Sequence, residues 1–273
     1  TPISVPSDLT RIWTVPVGGK LTQPVVAEGR LFVASIDSHR IHALDAKTGR
    51  ALWSLTAGGR IDSPPTRYRS AVIFGSRDGC VYCVTSDTGQ LVWSFNASKT
   101  DRQMVSFGQL ESAYPVSGSV LVHGDSVCFA TGKSAFLDDG IYLYRLNAMT
   151  GEKESETQVY LLDSVGRQPK IDWLAMPGAL PDVLSSDGDY VYMRHLAFGL
   201  DGKPAEHPGN DHLYCPTGFL DRSGFHRSYW NYGKGSFKSR VGVGLGAGPG
   251  STIIVMDKDT LFHFGRSRAV GAM

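Results

Sequence analysis

The second half of this 273-residue chain gathers the side chains that do chemistry. Arg194-His195 is followed by His207, His212 and Tyr214, and these by Asp221, His226, Arg227 and Tyr229. Neutral imidazole ligates transition metals, and three imidazoles from neighbouring loops make a metal centre that keeps a position open for substrate. His195, His212 and His226 are therefore the candidate metal ligands, and Arg194 and Tyr214 the candidate ligand-binding groups. In such a site Arg227 neutralises a substrate carboxylate and Tyr229 serves as acid or base. The same spacing also suits packing. On a strand over 190–196, His195 shares its face with Val191 and Met193, the environment of a core histidine. In the stretch GFHRSYWNYG, Phe225, Arg227 and Tyr229 fall on one face and His226 and Trp230 on the other.

Other motifs narrow the chemistry. Asp138-Asp139, within SAFLDDG, are candidate ligand-binding residues, since adjacent carboxylates in a glycine-flanked turn can hold a divalent cation, or simply form the turn and face water. Cys80 and Cys83 form a CxxC on an expected strand, where residues three apart point to opposite faces, so the pair reads as buried thiols rather than a metal or redox site. Thr131-Gly132-Lys133-Ser134 imitates the end of a phosphate-binding loop, but Val127 stands where the first glycine is required. No GxSxG nucleophile elbow is present.

The charge is balanced, 27 basic against 26 acidic residues, which gives no electrostatic reason to expect nucleic acid as a partner. No apolar run approaches the roughly 20 residues of a membrane-spanning helix, and no signal peptide is read in the first ten residues. Four cysteines in a chain of this size do not make a disulfide framework.

The elements that must position these residues are set by a repeat. Trp13, Trp53 and Trp93 stand 40 residues apart, and Thr48-Gly49 and Thr88-Gly89 recur at the same interval. Each unit reads as four short strands: Gln23 to Val26, Arg30 to Ser35, Arg40 to Leu44 and an outer strand carrying Trp53, then Ser63 to Thr66, Ala71 to Ser76, Cys80 to Val84 and an outer strand carrying Trp93. A period of about 40 with four strands is the signature of a β-propeller blade. The fold class is therefore all-β, one propeller domain over 1–273. Val116 to Gly151 is the third blade, with the insertion KSAFLDDG between its second and third strands, Ala179 to Gly218 the fourth, and Phe219 to Arg266 a fifth without its outer strand. An N-terminal outer strand over 11–18 would complete that last blade and close a five-bladed ring. Otherwise the chain is an arc of a larger ring, or closes as a homo-oligomer.

Leu44-Asp45-Ala46-Lys47-Thr48-Gly49 with Trp53, and more loosely Val84 to Gly89 with Trp93, resembles the repeat of the PQQ-like (quinoprotein-type) β-propeller superfamily. Segments including GQLESAYPVSGSVLV, TGKSAFLDDGIYLYRLNAMTG and HLYCPTGFLDRSGFHRSYWNYG are similar to large secreted propeller proteins of planctomycetes and related bacteria. The resemblance implies a periplasmic or extracellular protein whose mouth takes a ligand, a small molecule or a polysaccharide. In the quinone-dependent members it also implies a quinone held with calcium, a vicinal cysteine disulfide and a tryptophan. No two cysteines are adjacent here, and no calcium cluster of Asp, Glu and Asn stands out, so the quinone is not expected while a divalent metal stays open. The expected function is a binding or scaffold module; the alternatives are a metal-dependent carbohydrate-active enzyme with the histidine-lined site, a polysaccharide lyase or hydrolase by fold-level analogy with lyases on propeller folds, and, more remotely, a quinone oxidoreductase.

Overall fold

The computed structural model describes residues 10–135, 138–160, 184–193 and 196–205, together with the backbone of short strands between 213 and 264. The described residues are strand and turn, with a single 3-10 turn at Ile36–Ser38. Four sheets are four-stranded antiparallel meanders in chain order. The first holds β1 (Val25–Ala27), β2 (Arg30–Ser35), β3 (Arg40–Asp45) and β4 (Ala51–Thr56). The second holds β5 (Thr66–Tyr68), β6 (Ala71–Gly75), β7 (Cys80–Thr85) and β8 (Leu91–Asn96). A separate hairpin of β9 (Gln103–Ser106) and β10 (Gln109–Ser112) precedes the third, made of β11 (Leu121–His123), β12 (Ser126–Thr131), β13 (Ile141–Asn147) and β14 (Lys153–Val159). The fourth holds β15 (Ser185–Ser186), β16 (Tyr190–Met193), β17 (Leu196–Gly199) and β18 (Pro204–Ala205).

The expected blades are present, with local differences. The innermost strands of the first two begin two or three residues later than their sequence suggests, because Pro24 and Pro64-Pro65 have no N–H to give a ladder. Residues 11–18 pair with no strand among the described residues, although Trp13 takes the position expected of it. Beyond the fourth sheet, β19 (Leu213–Tyr214) pairs with β20 (Trp230–Tyr232), which pairs with β21 (Arg240–Val241), while β22 (Ile253–Asp257) and β23 (Thr260–Phe264) form their own hairpin. The expected boundary after Gly218 is thus crossed by the pairing of Tyr214 with Asn231.

Strand alternation supplies two buried faces per sheet. Phe32, Ala34, Ile41 and Ala43 of the first sheet pack with Val72, Phe74 and Val84 of the second. The other face of the second sheet, Ile73, Val81 and Cys83, packs with Val127, Phe129, Tyr144 and Leu146 of the third. Cys128, Ala130 and Leu143 of the third then meet Val191, Met193 and Phe198 of the fourth. This is why runs such as AVIFG on β6 are apolar on consecutive residues: a blade between two others has no solvent face.

The tryptophan repeat is the joint between blades. The indole N–H of Trp13 donates to the Ala46 carbonyl at 3.1 Å, Trp53 to Ser86 at 3.0 Å and Trp93 to Ala148 at 3.1 Å. Each ring lies against the glycine that ends the next blade's turn, and a methyl group there would fall 2.8 Å from Trp13 at Gly49, 2.6 Å from Trp53 at Gly89 and 2.7 Å from Trp93 at Gly151. All three glycines have φ between +71° and +74°, so backbone conformation and ring contact both exclude a side chain. The turn before each glycine is closed from within. Asp45 Oδ1 accepts from the N–H of Lys47 and Thr48 and from the Thr48 hydroxyl, and Asn147 Oδ1 accepts from the N–H of Met149 and Thr150. Thr48 hydrogen bonding holds the Asp45 carboxyl below its usual range. At the fourth joint Ser155 stands where tryptophan is due, against Gly202, and the Thr157 hydroxyl donates to the Gly202 carbonyl at 2.6 Å.

Candidate functional site

In a meander of four strands, the second-to-third turns and the links between blades come out at one end. At that end lie Ile36–Ser38, the link 57–65, the turn at Arg77, the hairpin β9–β10 and the insertion 132–140. Buried charges bind these loops together. Arg77 ion-pairs with Asp62 and donates from Nη1 to Glu111 Oε2 at 2.7 Å, and Glu111 takes a second bond from Lys133. Burial alone would raise the Glu111 carboxyl, but the bonds from Lys133 and Arg77 outweigh it and hold it below the ordinary range. Burial would likewise lower Arg77, and the opposing Asp62 and Glu111 charges raise it instead. Each ion in this cluster has a partner, the condition under which buried charge is tolerated.

Arg60 is only 7% exposed and incompletely satisfied. Its Nη2 is 3.1 Å from Asp62 Oδ1 without the alignment of a hydrogen bond, its Nε is 3.4 Å from Asp37 Oδ1, and neither Nε nor Nη1 has a hydrogen-bond acceptor. Over it lies the ring of Phe107, centroid 4.5 Å from the Arg60 guanidinium carbon and 5.4 Å from that of Arg77. The π face supplies the negative potential that the missing acceptors do not. Phe107 and Gly108 form the two-residue turn of β9–β10, with φ of +52° and +74°. The hairpin is fixed to the first blade as well: Gln109 Oε1 is 2.7 Å from His39 Nε2, and Gln109 Nε2 donates to the Asp37 carbonyl at 3.1 Å. Val105 (74% exposed), Phe107 (74%) and Leu110 (61%) leave an apolar outer surface on it.

Of the residues marked in the sequence, Asp138 and Asp139 lie at this end, both at positive φ. Asp138 ion-pairs with Arg102 at the base of the hairpin, and the Asp139 carbonyl accepts from Gln158 Nε2 at 2.6 Å. Asp138 is thus a link between insertion and hairpin. Arg194, His195, His212, His226, Arg227 and Tyr229 lie outside the described residues, and Tyr214 is described only as backbone in β19. Among the described residues no group of three His, Cys, Asp or Glu side chains is placed to hold a metal ion. Cys80, Cys83 and Cys128 are free thiols on β7 and β12, each pushed up to about 11 by burial, Cys80 also by the Asp78 charge. The loop TGKS binds no phosphate cradle of its own: Gly132 N–H donates to the Pro115 carbonyl at 3.2 Å and Lys133 is spent on Glu111.

The buried carboxylates at this end and the tryptophans of the joints are not available to a quinone and its calcium. Asp62 and Glu111 are consumed by cations, and Trp13, Trp53 and Trp93 are committed to the joints between blades, each indole N–H already used. At the opposite end a cleft of about 470 Å³ is lined by Arg30, Arg67, Arg69 and Asp87 among others, with Arg67 paired to Glu28 and Arg69 to Asp125.

Sequence reasoning misses the hairpin and its buried ions. The signal was there in the connection from Trp93 to Leu121, which is much longer than that from Trp53 to Thr66, and in QMVSFGQLES, two short extended runs about an X-Gly turn.

Meander blades joined by tryptophan against glycine define a β-propeller of the PQQ-like type. The pattern of the family described as outer membrane protein assembly factor BamB matches residues 6–162, more than half of the chain, and the chain belongs to that family. The fold is similar to the quinohemoprotein alcohol dehydrogenase of Comamonas testosteroni (18% identity, TM-score 0.54, 78% of this chain and 40% of that one). It is also similar to a quinohemoprotein alcohol dehydrogenase of Pseudomonas putida HK5 (15%, 0.53, 77% and 38%) and to a europium-containing methanol dehydrogenase (15%, 0.50, 78% and 48%). The chain spans less than half the length of each of these structures. No curated protein matches it.

Proposed function

We propose that the chain is an extracytoplasmic binding or scaffold module that takes its ligand at the end carrying the β9–β10 hairpin and the 132–140 insertion. The observation that carries this reading is the investment at that end: loops of three successive blades are tied by buried ion pairs, yet the hairpin they support leaves Val105, Phe107 and Leu110 in solvent. Apolar surface held on a rigid polar base is the make-up of a recognition surface rather than of a core. Location outside the cytoplasm is supported by the family, whose description is of an outer-membrane assembly factor. The test is calorimetric titration of a panel of soluble polysaccharides and unstructured peptides into the chain, into Val105→Ser/Leu110→Ser, and into Arg69→Ser at the opposite end. The reading requires binding that falls in the hairpin variant and persists in Arg69→Ser. The reverse pattern, or no binding by any member of the panel, overturns it.

A further inference from the structure

Phe107 is the point at which this surface acquires chemical character. A two-residue hairpin turn with both central residues at positive φ is the place for Asn-Gly or Gly-Gly, and a bulky side chain there is strained. Phenylalanine nevertheless occupies the first position at φ +52°. Its inner face is fixed over two guanidinium groups, at 4.5 and 5.4 Å, and its outer face is open. Pinning one face in this way makes the other a preorganised aromatic platform, which binds without losing side-chain freedom on contact.

The rim of the platform is polar. Asp37, with its carboxylate 56% exposed, Gln109 and His39 lie beside the turn, while Lys133 meets the hairpin further back, at Glu111, and the Arg102–Asp138 pair stands at its base. These groups both donate and accept, the complement of hydroxyls, which do both as well. The ion pairs match, Arg60, Arg77 and Lys133 against Asp37, Asp62 and Glu111, and Arg102 against Asp138, while Asp78 and Asp139 add negative charge at the same end. A cluster without excess positive charge offers a polyanion no attraction.

We infer that the Phe107 face is a subsite for neutral saccharide, the apolar C–H face of a sugar ring stacking on the phenyl ring and its hydroxyls meeting the polar rim. This rests on the reading of that end as the binding surface. The probes are neutral oligosaccharides (gluco-, galacto- and manno-configured), acidic ones (polygalacturonate and alginate fragments) and an apolar extended peptide, titrated into the chain and into Phe107→Ala, Phe107→Trp and Val105→Ser/Leu110→Ser, each first shown to melt as the parent does. The inference requires that a neutral oligosaccharide binds and that Phe107→Ala weakens it about ten-fold or more while Phe107→Trp retains it. It also requires that raising salt from about 0.05 to about 0.5 M changes affinity less than about two-fold. Saccharide binding indifferent to Phe107→Ala overturns it, as does binding confined to acidic fragments with steep salt dependence. Peptide binding lost in Val105→Ser/Leu110→Ser, with no saccharide bound, overturns the saccharide inference and leaves the binding surface standing. No binding by any probe overturns both.

Discussion

Replacing Gly151 by alanine tests the joint between the second and third blades at its narrowest point. Two costs act together. The residue sits at φ +74°, where an alanine loses about 1 kcal/mol relative to glycine. The new methyl would also fall 2.7 Å from Trp93 Cδ2 and 2.9 Å from Cγ, inside contact distance of a ring that is buried and held by its bond to the Ala148 carbonyl. Displacing a well-packed ring costs about 2 kcal/mol. Gly151→Ala is therefore expected to destabilise the chain by about 3 kcal/mol, a drop in Tm of about 6–12 °C for a domain of this size. Gly29, at φ +73° with nothing within 4 Å of the corresponding methyl, isolates the backbone cost, and Gly29→Ala should lose only about 1 kcal/mol. Urea unfolding of a double-mutant cycle completes the test. With Trp93→Ala in the background, itself worth about 3–5 kcal/mol and best studied in a stabilising osmolyte, Gly151→Ala should fall to the cost of Gly29→Ala, a coupling of about 2 kcal/mol. Additivity of the two changes within about 0.5 kcal/mol would refute the reasoning. Gly202→Ala should cost less than Gly151→Ala, because its neighbour is the Ser155 hydroxyl rather than an indole.

Three further outcomes are expected. Glu111→Gln leaves Arg77 and Lys133 short of a buried negative charge and should destabilise the chain by about 3 kcal/mol at neutral pH. Because the folded-state carboxyl lies below its unfolded value, the parent's advantage is complete above the ordinary glutamate range and shrinks as pH falls through the folded value, so denaturation curves of the two should converge in acid. His42 is lowered by burial and by Arg40, and its Nε2 is buried without a partner, so the unfolded chain takes up the proton first. Stability should therefore decline as pH drops below about 6.5, and His42→Gln should flatten that slope in urea titrations across pH 5–7. Cys80, Cys83 and Cys128, each near 11, carry about 0.1% thiolate at pH 8, so Cys215→Ser should give almost no reaction with a thiol reagent until denaturant is added, when three equivalents react. Fast labelling of Cys83 or Cys128 in the folded variant would contradict their burial, while Cys80 is only half-buried.

The repeat of Trp13, Trp53 and Trp93 with Thr48-Gly49 and Thr88-Gly89 was enough to specify blades, since each marker is a local requirement: an αL glycine to end a turn and a large ring to face it. The apolar runs on β2, β6 and β12 were equally plain, because a sheet buried on both faces leaves no polar alternation to interpret. Asp138 was legible as part of a projecting insertion, but its partner Arg102, from the link after the second blade, was not. The cluster of Arg60, Asp62, Arg77, Glu111 and Lys133 is invisible in sequence for the same reason. Its members come from a link, a turn, a hairpin and a loop of three different blades, and nothing in their spacing announces that they meet. Periodicity records what each strand owes its neighbours in the same sheet, whereas a charge becomes a buried ion only when separate loops close over it, and that is decided by the stacking of whole blades.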